Sequence, residues 1–257
     1  MPNSALIEIR DLHKSFGDNH VLRGVNLSVA EGETLVVLGP SGCGKSVLLK
    51  HIIGLLRPDR GSVLFEGRDI ARMSFEELTE VRKRFGMVFQ SAALFDSMTV
   101  GENVGLGLRE HRGLRSPELD QIVERKLELV GLQGVANLWP AQISGGMKKR
   151  AALARALSLD PDVVLYDEPT TGLDPVMAEQ INELIRDLQQ KLTTTSVAVT
   201  HDIHSAEFIG TRVALMDEGR IAFVGTTSVL RTTDNEAVRN FIARGRPASW
   251  VGRSREL

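Results

Sequence analysis

Eight consecutive residues, Gly39-Pro40-Ser41-Gly42-Cys43-Gly44-Lys45-Ser46, have the types and the spacing to hold a polyphosphate. Glycines let successive backbone N–H groups turn towards one anion without Cβ obstruction, and a helix opening here adds its positive end. Lys45 then reaches the β- and γ-phosphates, and the Ser46 hydroxyl is a ligand for Mg²⁺. A turn that merely capped a helix would give no reason for a lysine followed by a serine. Cys43 is the chain's one cysteine. Its place beside Lys45 and a helix start favours the thiolate and predicts a reactive thiol, the alternative being a small buried filler.

A second run, Val163-Val164-Leu165-Tyr166-Asp167-Glu168, ends an apolar stretch on two carboxylates. Asp167 suits Mg²⁺, directly or through water, and Glu168 suits polarising an attacking water. His201 follows the apolar run 196–200 and so emerges at the carboxyl edge of a sheet, where ligands of open α/β sheets bind. Its imidazole can donate to a γ-phosphate, or it caps a turn. Gln90, after the run 85–89, has an amide able to reach Mg²⁺ or the lytic water, or likewise caps a turn. Ile143-Ser144-Gly145-Gly146-Met147 opens another helical run. Its hydroxyl, glycine N–H groups and helix end form a second anion cradle. One nucleotide with two cradles implies that the second serves another molecule.

Placing these residues together needs a sheet whose strands end at one edge. Residues 34–38 are a continuous apolar strand, suited to burial on both faces, that runs into the glycine loop and a helical pattern over 46–56. Runs 85–89, 163–166, 196–200 and 212–216 are further strands for the same sheet. Before them, 6–12 and 21–29 read as strands around a turn at Gly17-Asp18-Asn19, and 62–65 leads into Glu66-Gly67, an antiparallel opening. About 98–158 lacks strand signals and carries helix signals: Ser116 as N-cap with Pro117 at the first helical position, and a run over 147–157 closed by Asp160-Pro161. Residues 235–243 read as a short amphipathic helix, followed by a polar tail through Arg246-Pro247 and Trp250.

The fold class is therefore α/β. At 257 residues the chain is long enough for one large domain or two small ones, and 42% hydrophobic with 25% charged residues is an ordinary globular composition. Thirty-one Lys and Arg against 33 Asp and Glu, a net charge of −2, lack the basic footprint of a nucleic-acid binder, so no nucleic-acid partner is expected. A single cysteine excludes an internal disulfide framework. Neither a spanning helix nor a secretory signal is readable, so any membrane role is expected to come through a partner.

The ordered set Gly39 to Ser46, Gln90, Ser144-Gly145-Gly146, Asp167-Glu168, Gly172-Leu173-Asp174 and His201 resembles the ATPase subunit of ABC transporters. The likeness covers about residues 5–232, with a helical subdomain near 98–158, and leaves 233–257 as a C-terminal helix and tail. It implies a P-loop NTPase cassette: a central, mostly parallel sheet, an antiparallel β subdomain and a helical signature subdomain. It also implies a homodimer with two ATP molecules and Mg²⁺ at the interface, each ATP held by the Lys45 loop of one subunit and the Ser144 signature of the other. By the same likeness Asp174 shapes the dimer contact, Gln90 couples the site to a transmembrane permease, and Phe16 stacks on adenine by its position, an ordinary core Phe being the alternative. Met147 departs from the family's usual Gln. A thioether cannot donate to a ribose across the interface.

Met147, Leu108-Arg109-Glu110-His111, Ala237-Val238-Arg239-Asn240-Phe241-Ile242 and the tail resemble the lipid-trafficking group of the maintenance of outer-membrane lipid asymmetry (Mla) type. That likeness implies phospholipid traffic between inner and outer membranes, with a permease, a periplasmic lipid-binding ring protein and a small cytoplasmic accessory subunit. It places the chain peripherally on the cytoplasmic face of the bacterial inner membrane. The alternatives are the ATPase of another importer, for amino acids or anions, and a soluble ABC ATPase acting on nucleic acid or ribosomes.

Overall fold

A computed structural model describes residues 5–114 and 117–244. The chain runs β1 (Ala5–Phe16), β2 (Asn19–Ala30), β3 (Thr34–Leu38), α1 (Lys45–Ile52), β4 (Arg60–Phe65), β5 (Arg68–Asp69), α2 (Phe75–Lys83), β6 (Phe85–Val88) and α3 (Val100–Arg112). It continues through α4 (Glu118–Leu129), α5 (Gly145–Ala156), β7 (Val163–Asp167), α6 (Pro175–Leu192), β8 (Thr195–Thr200), α7 (Ile203–Ile209), β9 (Arg212–Asp217), β10 (Arg220–Thr226) and α8 (Glu236–Arg244).

The central sheet has the order β10-β9-β3-β8-β7-β6. Its five inner-to-far strands pair in parallel, and β10 closes one edge antiparallel to β9. Every residue of β3, β7 and β8 is buried, which is why these segments read as unbroken apolar runs. Alternate side chains of β3 serve two cores. Leu35 and Val37 face a layer containing α1 and the four-stranded antiparallel sheet β2-β1-β4-β5, whereas Val36 and Leu38 face a layer built largely from helices between α3 and α8. Parallel pairing delivers the segments after β3, β6, β7 and β8 to one carboxyl edge.

Local differences from the sequence expectation have local causes. Helix α1 stops at Ile52 instead of 56, because Gly54 takes φ +68° and the N–H groups of Leu55 and Leu56 both turn back to Lys50 O. Ser144 is the N-cap of α5, so that helix starts at Gly145, two residues before the expected 147. Pro117 precedes α4 as its N-cap residue and is not its first helical residue, while the proposed cap Ser116 lies outside the described residues. The tail residues Arg246, Pro247 and Trp250 also lie outside them. Among the described residues of 98–158 there is no strand, and none of the described helices is long and apolar enough to cross a membrane.

Candidate functional site

The loop between β3 and α1 is shaped by its glycines. A Cβ on Gly39 would sit 2.3 Å from Met216 O and 2.8 Å from Cys43 Sγ, and Gly44 takes φ +109° immediately before the helix. Lys45 is 6% exposed. Its Nζ donates to Gly39 O at 2.9 Å and Pro40 O at 3.0 Å and lies 3.4 Å from Glu168 Oε1. The ammonium thus rests on the carbonyls of its own loop, within reach of any anion placed on the loop N–H groups. Ser46 Oγ donates to Asp167 Oδ1 at 2.7 Å, joining the start of α1 to the end of β7.

Glu168 follows β7 in the left-handed region, φ +48°, a conformation that costs a non-glycine residue about 1 kcal/mol or more and persists only where surroundings enforce it. Its N–H donates to Val199 O at 3.0 Å. Its Oε2 accepts from His201 Nδ1 at 2.8 Å and from Thr171 Oγ1 at 3.2 Å, so both ends of the residue are fixed. The carboxylate is buried, whereas the His201 ring is half-exposed. An acid held between a lysine and an imidazole at a cleft wall can take a proton from water and pass it on.

A cleft of about 490 Å³ is lined by Phe16, Gly42, Lys45, Gln90, Glu168 and His201 among others, including Ser41, Gly44 and Ser46. Phe16 is 48% exposed at the end of β1, with Lys14 Nζ 5.6 Å from its ring centroid, so the core alternative for this residue is overturned. Pro40 and Ser41 also border a neighbouring hollow under α8. Gly39, Cys43 and Asp167 stand behind the cleft surface. Cys43 departs from the reactive-thiol expectation: its burial outweighs Lys45 and pushes the thiol up. The segment expected to form a second cradle stands elsewhere. Ser144 Oγ accepts from Met147 N at 3.2 Å as helix cap, Ser144 and Gly145 are exposed, and neither they nor Gly146 nor Asp174 line the cleft. Asp174 Oδ1 caps α6, accepting from the N–H groups of Val176 (3.1 Å) and Met177 (3.0 Å). Met177 in turn packs so closely on Gly146 that a Cβ there would lie 2.0 Å from its Cε.

Thr171 escaped sequence reasoning, although it follows Glu168 by one short turn. Lys149 and Arg155 of α5 escaped it too, and no local signal marks them. Ser46, Gln90 and Asp167 present only oxygen donors, two of them already in contact, a set suited to a hard divalent cation.

Residues 22–171 match the family model described as ABC transporter. The chain belongs to that family. It is 44% identical over 256 residues to the probable ribonucleotide transport ATP-binding protein mkl of Mycobacterium leprae, covering all of this chain and 74% of that one. To the intermembrane phospholipid transport system ATP-binding protein MlaF of Haemophilus influenzae it is 43% identical over 240 residues, 93% of this chain and 91% of the relative. Among solved structures, the ATP-binding cassette MJ0796, as a dimer in a post-hydrolysis state bound to ADP and Pi, superposes with a TM-score of 0.78 at 34% identity, covering 86% of this chain and 98% of that one. The chain is an ABC ATPase, and the α/β cassette architecture and the family expected from its motifs are both borne out.

Proposed function

We propose that this ABC ATPase powers phospholipid movement between inner and outer membranes through a partner permease, as a homodimer with ATP at its interface. The observation that carries the dimer is the split within one chain: Lys45, Glu168 and His201 share a cleft that Ser144, Gly145 and Gly146 do not line. Kinship with the MlaF proteins supports the cargo. The cassette spans residues 5–232 with its helical subdomain at 98–158, and 233–257 supply a C-terminal helix and tail. It sits peripherally on the cytoplasmic face of the inner membrane, beside the permease, a periplasmic lipid-binding ring protein and a small cytoplasmic accessory subunit.

In this reading Phe16 stacks on adenine, and Lys45 leaves Gly39 O and Pro40 O for the β- and γ-phosphates, cradled by the N–H groups of residues 39–46. Ser46, Asp167 and Gln90 would hold Mg²⁺, which when bound neutralises phosphate charge. Glu168 accepts the proton of the attacking water, and His201 orients Glu168 Oε2 through Nδ1. The partner's Ser144, Gly145 and Gly146 close over the same phosphates, with Asp174 supporting that contact through α6. Closure moves the permease only as far as ATP favours the closed over the open dimer.

The test is reconstitution of the co-purified complex in vesicles, with transfer of labelled phospholipid followed on addition of MgATP. Transfer that requires ATP and stops in a Glu168→Gln complex is expected. Likeness to the mkl protein favours ribonucleotide transport as the second reading. ATP-dependent uptake of labelled ribonucleotide without lipid transfer would select it.

A further inference from the structure

Lys149 lies in the second turn of α5 with 6% of its surface exposed, the helix's one buried lysine. Its Nζ donates to Gln90 O at 2.5 Å, and this is its one hydrogen bond among the described residues. Further along the same helix, Arg155 donates to Ala93 O at 2.5 Å and Ala92 O at 2.9 Å. Ala92 and Ala93 both take left-handed φ, +64° and +50°, a strained bend that the guanidinium holds. Helix α5 therefore grips the backbone after β6 at two points and leaves the exposed Gln90 side chain to line the cleft. The N-cap of that helix is Ser144.

We propose that Lys149 is a positioning residue that fixes Gln90 to the signature helix, so that Gln90 in its own cleft and Ser144 offered to the neighbouring subunit's ATP move as one body. The inference rests on the dimer proposed above. A helix is stiff over twelve residues, so displacing Gln90 backbone by an ångström displaces the Ser144 cap, and misplacement on that scale is enough to cost on the order of 10² in rate.

The experiment compares wild type, Lys149→Met and Lys149→Arg as full chains. Methionine keeps the buried stem and removes the donor, whereas arginine keeps a donor for Gln90 O. Two readouts are taken: kcat and KM for MgATP, and ATP-dependent dimerisation in a Glu168→Gln background, by light scattering. Lys149→Met is expected to lose at least about tenfold in kcat with KM within about threefold, and to dimerise at higher ATP than the parent; Lys149→Arg is expected to recover most of both. A role in stability alone would lower the melting temperature without this split. Should Lys149→Met not fold, Arg155→Met releases the second anchor and is expected to give the same split. Wild-type kcat and dimerisation in the folded variant, or loss that arginine does not rescue, overturns the coupling. A Glu168→Gln parent with no ATP-dependent dimer removes the dimer reading and the coupling with it, an outcome distinct from parent-like dimerisation when Lys149→Met is added.

Discussion

Glu168 combines three features that rarely coincide by accident: a left-handed backbone, a lysine 3.4 Å from one oxygen and an imidazole on the other. Replacing it with Gln preserves size and hydrogen bonding but removes the proton acceptor. ATP affinity of Glu168→Gln, read by fluorescent-nucleotide titration, is expected to stay within a few-fold, with phosphate release down by on the order of 10² to 10⁴. Turnover near wild type would reject Glu168 as base. His51 provides a test of pH dependence. It is buried in α1, its Nδ1–H donates to Val47 O at 2.7 Å, and burial lowers its pKa, with nearby Lys14 lowering it further and the backbone of Val47 and Arg57 and the Asp59 carboxylate opposing. The unfolded chain takes up the proton first as pH falls, so stability is lost on acidification from about pH 6.5 downward. The fall in melting temperature between about pH 7 and pH 5.5 is expected to be shallower in His51→Gln. The phosphate loop was legible because each residue type there is dictated by the loop itself. Thr171 and Lys149 were not, since an ordinary hydroxyl and an ordinary amine acquire meaning only when the fold supplies Glu168 Oε2 and Gln90 O.

Elements differ in the same way. Strands β3, β7 and β8 were readable because burial on both faces demands unbroken apolar sequence, while half-exposed β10 and two-residue β5 leave no such pattern. Helices α2 and α3 begin with full capping boxes, Ser74 with Glu77 and Thr99 with Glu102, signals short enough to be lost beside the larger motifs. Between β6 and α3 the chain has no regular structure, yet it must hold Gln90. Asn103 of α3, wholly buried, ties down the second half of this segment: the two hydrogens of Nδ2 are shared among Phe95 O (3.1 Å), Met98 O (3.2 Å) and Thr99 O (2.9 Å), and Oδ1 accepts from Phe95 N at 2.7 Å. An apolar side chain of similar size would strand those groups. Asn103→Leu is expected to lose roughly 2–4 kcal/mol in denaturant unfolding and to speed amide exchange at Phe95. Unchanged exchange would mean that the segment is held by other contacts.

At the scale of the whole molecule, the Ser144 end of α5 does not line the cleft of the Lys45 loop, which is what the proposed symmetric pair requires of one chain. In the proposed dimer a two-fold operator would set the Lys45 loop of each copy against the Ser144 end of the other, so that a single cleft would be incomplete by itself. Complementation tests this directly. Ser144→Arg leaves a chain's own loop intact and spoils the site of its neighbour; Lys45→Ala spoils its own site and leaves its signature intact. Either variant alone has two damaged sites. In a mixed dimer one site joins the sound Lys45 loop of the first variant to the sound signature of the second, and the other site carries both lesions. Mixing equal amounts yields about half mixed dimers, so hydrolysis is expected to rise from near zero to at most about a quarter of wild type, and to fall again as either variant is placed in excess. If the two sites must fire together, the mixture stays inactive in turnover but still captures one ATP per mixed dimer. A mixture that neither turns over nor retains ATP, at any ratio, leaves each chain to work with its own residues and dissolves the shared site.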